Sequence, residues 1–180
     1  MILLGFFGLN LAWGASFVTP PTPYTQDTLQ FYSTNDAYGE FSNFAAFPIF
    51  LNDEWWPTSE HYFQAHKYTD PDLIKWVQSA PTAFEAAQRG RDQTVPKRAD
   101  WVQVKEGFMR QAVTDKFRRY TRLAELLLST GQAHLIEHTK NDCEWADCGD
   151  GTGQNKLGLL LESVRDSLPA EIPISNYRVH

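Results

Sequence analysis

Residues 100–120 read DWVQVKEGFMRQAVTDKFRRY. Val104, Phe108 and Ala112, with Met109, Val113 and Phe117, recur at the spacing of an apolar stripe along one side of a helix. Asp100-x-x-Gln103 is the sequence form of a capping box, so the helix is predicted to open at Asp100 and run to about Tyr120. Shorter helices stand on both sides of it. Thr82-x-x-Glu85 opens one, with Gly90 expected as the residue just past its end. Leu123–Ser129 forms another, stopped by Gly131, and Lys156–Leu168 a terminal one, stopped by Pro169. Upstream, Pro57 is expected in the first turn of a helix reaching about Tyr68. The strand signals are brief. Leu29–Ser33 reads as one strand, and Phe47–Leu51 pairs through Asn52-Asp53 with Glu54–Trp56, Pro48 marking an edge. His134–Thr139 is a further strand candidate. The expected fold class is α+β: a single, mostly helical domain of five helices with a few short strands.

The chain has 180 residues, the length of one domain. Sixteen basic against twenty-two acidic residues leave a formal charge of -6. That balance argues against extended binding to a nucleic-acid backbone, which wants a basic face. Apolar residues at 42% and charged residues at 21% fit a globular protein. Aromatics reach 14%, enough to fill a core and also to line a site for a flat ligand. Two Cys exclude a disulfide scaffold. Residues 1–19 are apolar without periodicity and no Lys or Arg precedes the run, so they make a poor secretory signal and a poor membrane span. Residues 1–27 are therefore expected to be a leader, disordered or due to a mis-assigned start, with the domain at 28–169 and a tail at 170–180. The expected location is the cytoplasm, or outside it if residues 1–19 are an export signal.

Three clusters could carry chemistry. In the first, Phe41-Ser42-Asn43-Phe44 precedes Trp56-Pro57-Thr58-Ser59-Glu60-His61-Tyr62. Glu60, Gln64 and Lys67 share one helix face. A carboxylate held among Trp and Tyr rings has a raised pKa and suits acid/base work; a carboxylate in a first helical turn also simply complements the macrodipole. The second is the polar loop 142–155, whose glycines allow close backbone approach to a ligand just ahead of a helix. It is neither a phosphate-binding P-loop nor an EF-hand, and a generic Ca²⁺ loop on Asp142, Asp147 and Asp150 competes with a solvated acidic turn. The third is His138-x4-Cys143-x4-Cys148. It lacks the fourth ligand and tight Cys pair of structural zinc, so two ordinary thiols are expected. A Cys143–Cys148 disulfide is sterically possible but disfavoured in a reducing cytosol.

Residues 31–168 resemble the NADAR family of YbiA-like N-glycosidases. The likeness rests on Gly39-Glu40-Phe41-Ser42-Asn43-Phe44, on Trp56-Pro57-Thr58-Ser59-Glu60-His61-Tyr62-Phe63-Gln64-Ala65, on Gly90-Arg91-Asp92, Trp101 and Lys116, and on Trp145-Ala146-Asp147-Cys148-Gly149 through Asn155 and Leu157-Gly158. The resemblance implies hydrolysis of an N-glycosidic bond to a phosphorylated ribose, either in pyrimidine intermediates of riboflavin synthesis or in ADP-ribosylated bases. It also allows a non-catalytic module that binds ADP-ribose or a related nucleotide. It implies a small-molecule partner, no cofactor, no metal and no membrane. By position, Glu60 and Asp147 would be the catalytic carboxylates. Trp101 and Trp145 would stack on the base, Asn43 and Phe44 would border it, and Lys67, Arg89, Gly90 and Arg91 would hold phosphate. Gly149, Gly151 and Asn155 would add loop contacts. Ala146 and Cys148 stand where the family usually has Gly, which strains the loop if either position needs a positive φ.

Overall fold

The structure, a computed structural model, describes residues 22–169. Readings of the apolar leader and of the tail beyond residue 169 lie outside the described residues, apart from 22–27. There Tyr24 packs on the core and its amide donates to Ser129 O, 2.9 Å.

Four short strands and six helices make the fold: β1 (Thr28–Phe31), β2 (Ile49–Leu51), β3 (Glu54–Trp56), α1 (Ser59–Ala65), α2 (Pro71–Gln78), α3 (Ala83–Arg91), α4 (Trp101–Arg119), α5 (Thr121–Ser129), β4 (His134–Glu137) and α6 (Lys156–Ser167). A single 3₁₀ turn covers Gly39–Phe41. The expected α+β, mostly helical single domain is what forms. β1 and β4 pair in parallel, Leu29 opposite Leu135 and Phe31 opposite Glu137. β2 and β3 form the expected antiparallel hairpin. Its two-residue turn places Asn52 and Asp53 at φ 56° and 61°, the left-handed pair that matches strand twist.

The long helix α4 lies between two apolar clusters. Met109, Val113 and Phe117 enter one with Leu29, Phe31, Leu135 and Leu161. Ala112 enters the other with Ile49, Trp56, Tyr62 and Tyr68. A stripe that serves two cores fixes where α1, the hairpin and β4 stand relative to each other.

Several local expectations need correction. The described residues form six helices, not five, because Asp70-Pro71 opens α2: the Asp70 carboxylate accepts from Asp72 N, 2.9 Å, and Pro71 takes a first-turn position. Pro57 precedes the first turn of α1. Thr58 is the cap, its hydroxyl accepting from His61 N, and the helix closes at Ala65, not Tyr68, so Lys67 lies beyond it. Asp100 caps nothing with its side chain, because its carboxylate is engaged by Arg98 at 2.6 and 2.9 Å. Gly90 does not end α3 but sits inside it. A Cβ there would meet the Gln64 side chain at 2.1–2.9 Å, so the glycine lets α3 close on α1.

Lys116 is fully buried on α4, donating to Ser42 O at 2.8 Å with its ammonium over the Phe47 and Phe117 rings. Burial drives its pKa down to about 7, against the opposing pull of Glu40. Between that value and its unfolded value the unfolded chain holds more protons, so stability rises with pH across the window from about 7 to 10.5. Lys116→Met should flatten that rise by several kcal/mol at most, on the order of 1.4 per pKa unit. Melting wild type and variant side by side from pH 7 to 10 checks it; parallel curves would contradict it.

No helix among the described residues is long and apolar enough to cross a membrane.

Candidate active site

A parallel strand pair collects ligands at the carboxyl ends of its strands. Here the ends of β1 and β4 deliver Tyr32, Glu137 and Thr139 to the edge of a cavity of about 440 Å³. α1 adds Glu60, Phe63 and Gln64, the turn after the 3₁₀ segment adds Asn43 and Phe44, α3 adds Phe84 and Arg91, and α4 adds Met109. The loop after β4 completes it with Asn141, Asp142 and Trp145.

Glu60 is 5% exposed, although it stands in the first turn of its helix. Its amide donates to Asn43 O at 3.1 Å, and Gln64 Nε2 donates to its Oε1 at 2.7 Å. Burial pushes the carboxyl above the usual range; the Gln64 hydrogen bond and the charges of Lys67 and Arg91 pull back, and Asp142 adds to the rise. Burial brings Lys67 down to about 8, with Glu60 opposing and Arg91, Lys97 and Lys105 reinforcing. The turn that carries Asn43 is held from two sides, by Lys116 on Ser42 O and by the Glu60 amide on Asn43 O. Asn43 Oδ1 and Gln64 Oε1 are buried acceptors without a partner. Gln64 Oε1 is packed against Gly90 of α3, so this oxygen faces the helix contact and not the cavity.

Of the residues singled out in the sequence, the cavity gathers Asn43, Phe44, Glu60, Arg91 and Trp145. The others are placed elsewhere. Trp101 is not in the lining; it is half-buried, its ring 5.1 Å from Phe63 and 6.2 Å from Phe108. Lys67 stands beside it, its Nζ 5.8 Å from the Phe63 and Trp101 rings. Arg89 turns away to Trp76, donating to its carbonyl oxygen and lying over its ring. Gly90 is a helix contact, as above.

Asp147 is buried behind the wall and acts as the clasp of the loop. Its carboxylate accepts from His138 Nδ1 at 2.7 Å, Gly149 N at 2.8 Å and Thr139 N at 3.2 Å. Burial alone would raise this carboxyl, but the His138 hydrogen bond and the two amides outweigh it and hold it below the ordinary range. Asp147 N also donates to Glu137 O, so the clasp grips the end of β4. Asn155 does a similar job, Oδ1 accepting from Glu137 N and Nδ2 donating to Leu135 O. Gly149 and Gly151 take φ 77° and 84° in the turns between.

The thiols are not free: Cys143 and Cys148 form a disulfide, their Cα atoms 4.3 Å apart. The loop folds back on itself closely enough for the bond, a proximity that spacing alone left open. Cys148 has φ 68°, so of the two departures from Gly it is the one in the left-handed region; Ala146 is not. Among the described residues no three His, Cys, Asp or Glu side chains gather to hold a metal. Asp142 Oδ1 is occupied by the amides of Glu144 and Trp145, and Asp150 Oδ1 by Thr152.

Glu137 is the functional candidate that the sequence did not reveal. It is the last residue of β4, partly buried on the cavity wall. Burial, reinforced by the charges of Asp142, Glu60 and Asp147, pushes its carboxyl up to about 8. A Glu closing a strand that pairs in parallel was the available signal, but parallel pairing is not visible in a four-residue strand.

Comparison with known proteins bears on the same stretch. The family model described as the NADAR domain matches residues 30–169. The chain belongs to the NADAR family. It is 48% identical over 147 residues to the N-glycosidase YbiA of Escherichia coli, covering 81% of this chain and 92% of that one. An N-glycosidase of Nostoc punctiforme is 40% identical over 144 residues, with 78% and 92% covered. A riboflavin biosynthesis protein of Vibrio vulnificus is 37% identical over 148 residues, 82% of this chain but 40% of that one. The NMR structure of E. coli YbiA superposes with a TM-score of 0.75 at 47% identity, covering 81% of this chain and 88% of that chain.

Proposed function

We propose that this NADAR-family chain is an N-glycosidase that hydrolyses the bond between a base-like nitrogen and a phosphorylated ribose. The observation that carries the reading is the buried Glu60 carboxyl on a cavity it shares with Arg91 and Trp145. The names of the relatives, N-glycosidase and riboflavin biosynthesis protein, support it independently.

As the C–N bond breaks, positive charge builds on C1′ of the sugar, and an anion preorganised in a water-poor site stabilises it. Glu60 is that anion in the proposed reaction: burial opposes its ionisation, while the Gln64 N–H, Lys67 and Arg91 favour it. It also aligns the attacking water. The oxygen of water bonds to C1′, the C1′–N pair leaves with nitrogen, and the released base takes up a proton. Arg91 and Lys67 attract the phosphate, Arg91 from the exposed rim. Trp145 offers its face to the planar base. The side chains of Asn43 and Gln64 border the same wall. Trp101 packs beside Phe63 of the cavity wall. Asp147 acts through the loop it clasps.

The preferred substrates are phosphoribosylaminopyrimidines, with ADP-ribosylated guanosine as the competing class. Incubating the protein with each and separating the products decides between them. The expected result is free ribose 5-phosphate from the first. Release of ADP-ribose from the second alone would move the substrate class. Nucleotide binding by calorimetry with no product from either, at enzyme equal to substrate, would make the chain a binding module.

A further inference from the structure

The hydrolysis proposed above leaves one step without a residue: something must protonate the nitrogen as it departs. Asp147, the second carboxylate suggested by the sequence, is engaged three times over behind the wall. We propose that Glu137 is the proton donor to the departing nitrogen, with Glu60 as the ionised carboxylate of the same cavity.

The two groups share one chamber but not one environment. Glu60 faces the cations Lys67 and Arg91 and receives the Gln64 N–H, with Asp142 as its one opposing carboxylate. Glu137 faces only carboxylates: Glu60 from α1, and Asp142 and Asp147 from the loop after β4. His138, the one basic group beside it in sequence, is turned to Asp147. From α6, Glu162 reaches β4 at its other end, accepting from Leu135 N at 2.8 Å. Arg91 from α3 is on the same wall and acts on Glu60. Burial raises both carboxyls, but only Glu60 has cations and an N–H donor opposing the rise, so of the two it is the one whose anion the site supports. The backbone of Glu137 is pinned on both sides, its amide to Asn155 Oδ1 at 3.0 Å and its carbonyl oxygen to Asp147 N at 3.0 Å. No side-chain hydrogen bond ties its carboxyl among the described contacts, so the proton can be directed to a ligand. Its burial-raised pKa of about 8 keeps the acid form present at neutral pH.

The chemistry balances within the site. Glu137 gives its proton to the leaving nitrogen, water adds to C1′ as hydroxyl, and the proton lost by that water restores the acid. No cofactor enters.

This proposal rests on the N-glycosidase reading, so the test separates the two. Wild type, Glu137→Gln and Glu60→Gln are assayed on a phosphoribosylaminopyrimidine and on 4-nitrophenyl riboside 5-phosphate, whose nitrophenolate leaves without a proton. Glu137→Gln is expected to slow the first reaction by about 10²–10⁴-fold, the usual worth of a general acid. Its defect on the nitrophenyl substrate should be at least ten times smaller, and Glu60→Gln should slow both alike. In wild type kcat/KM should fall above about pH 8. Lys67 titrates in the same window, so the limb is Glu137's only if Glu137→Gln abolishes it. Equal loss on both substrates, or full activity of Glu137→Gln on the N-glycoside, overturns the proposal while leaving the N-glycosidase reading intact. A wild type inert on the N-glycoside overturns that reading and the proposal with it.

Discussion

Glu60→Gln should lower N-glycoside hydrolysis by at least about 10³-fold while leaving the melting temperature equal to wild type or slightly higher. The activity loss combines the missing electrostatic support at C1′ with the missing orientation of water, each worth about 10²–10⁴ alone in comparable sites. The stability half follows from burial. A carboxyl whose pKa is raised in the folded state loses stabilisation as pH climbs through that value. The amide has no charge to desolvate, and its Oε1 still accepts from Gln64 Nε2, the contact seen at 2.7 Å. Gain of stability with loss of function is what a strained catalytic carboxyl predicts. A variant that kept activity, or that lost it only by unfolding, would remove Glu60 from the reaction. Thermal melts run beside the product assay distinguish the cases.

The second large effect is structural. Gly158→Ala should lower the melting temperature by about 5–15 °C, a loss of roughly 2–4 kcal/mol in a domain of this size. The added Cβ would sit 1.9 Å from Leu135 O and 2.6 Å from both side-chain termini of Asn155. The first is backbone and cannot swing aside. α6 would have to move off β4, breaking the Asn155 bridge to Leu135 O and Glu137 N. Activity should therefore fall at temperatures where the variant is still folded. A melting temperature within 2 °C of wild type, roughly the shift of 0.5–1 kcal/mol, would mean that the two elements separate without cost.

What the sequence conveyed, and what it hid, follows the range of the interactions involved. The apolar spacing in α4, the Asn52-Asp53 hairpin and the end of α6 before Pro169 are local signals, and each produced its element. α2 had local signals too, Asp70 followed by Pro71 and the helical spacing of Leu73, Ile74 and Val77, which pack with the second cluster; the expectation of five helices passed over them. Gly90 misled because a glycine near a helix end reads as a stop, while its real constraint is the Gln64 side chain on another helix. The same limit applies to the site. Glu60 could be suspected because its aromatic neighbours are adjacent in sequence. Glu137 reaches the cavity only through the parallel pairing of β4 with β1, and Trp101 packs beside Phe63 outside the lining, a packing fact with no sequence mark. The Cys143–Cys148 bond likewise depends on how the loop turns back.

In the proposed reaction water cleaves a sugar C–N bond beside the Glu60 carboxyl. The most direct measurement is turnover of a phosphoribosylaminopyrimidine in ¹⁸O-labelled water, with both products weighed by mass spectrometry. The account predicts one ¹⁸O in the ribose 5-phosphate within a single wild-type turnover, none in the released pyrimidine, and no labelled sugar from Glu60→Gln on the same timescale. Label in the pyrimidine, or labelled ribose phosphate formed equally fast by Glu60→Gln, would contradict it.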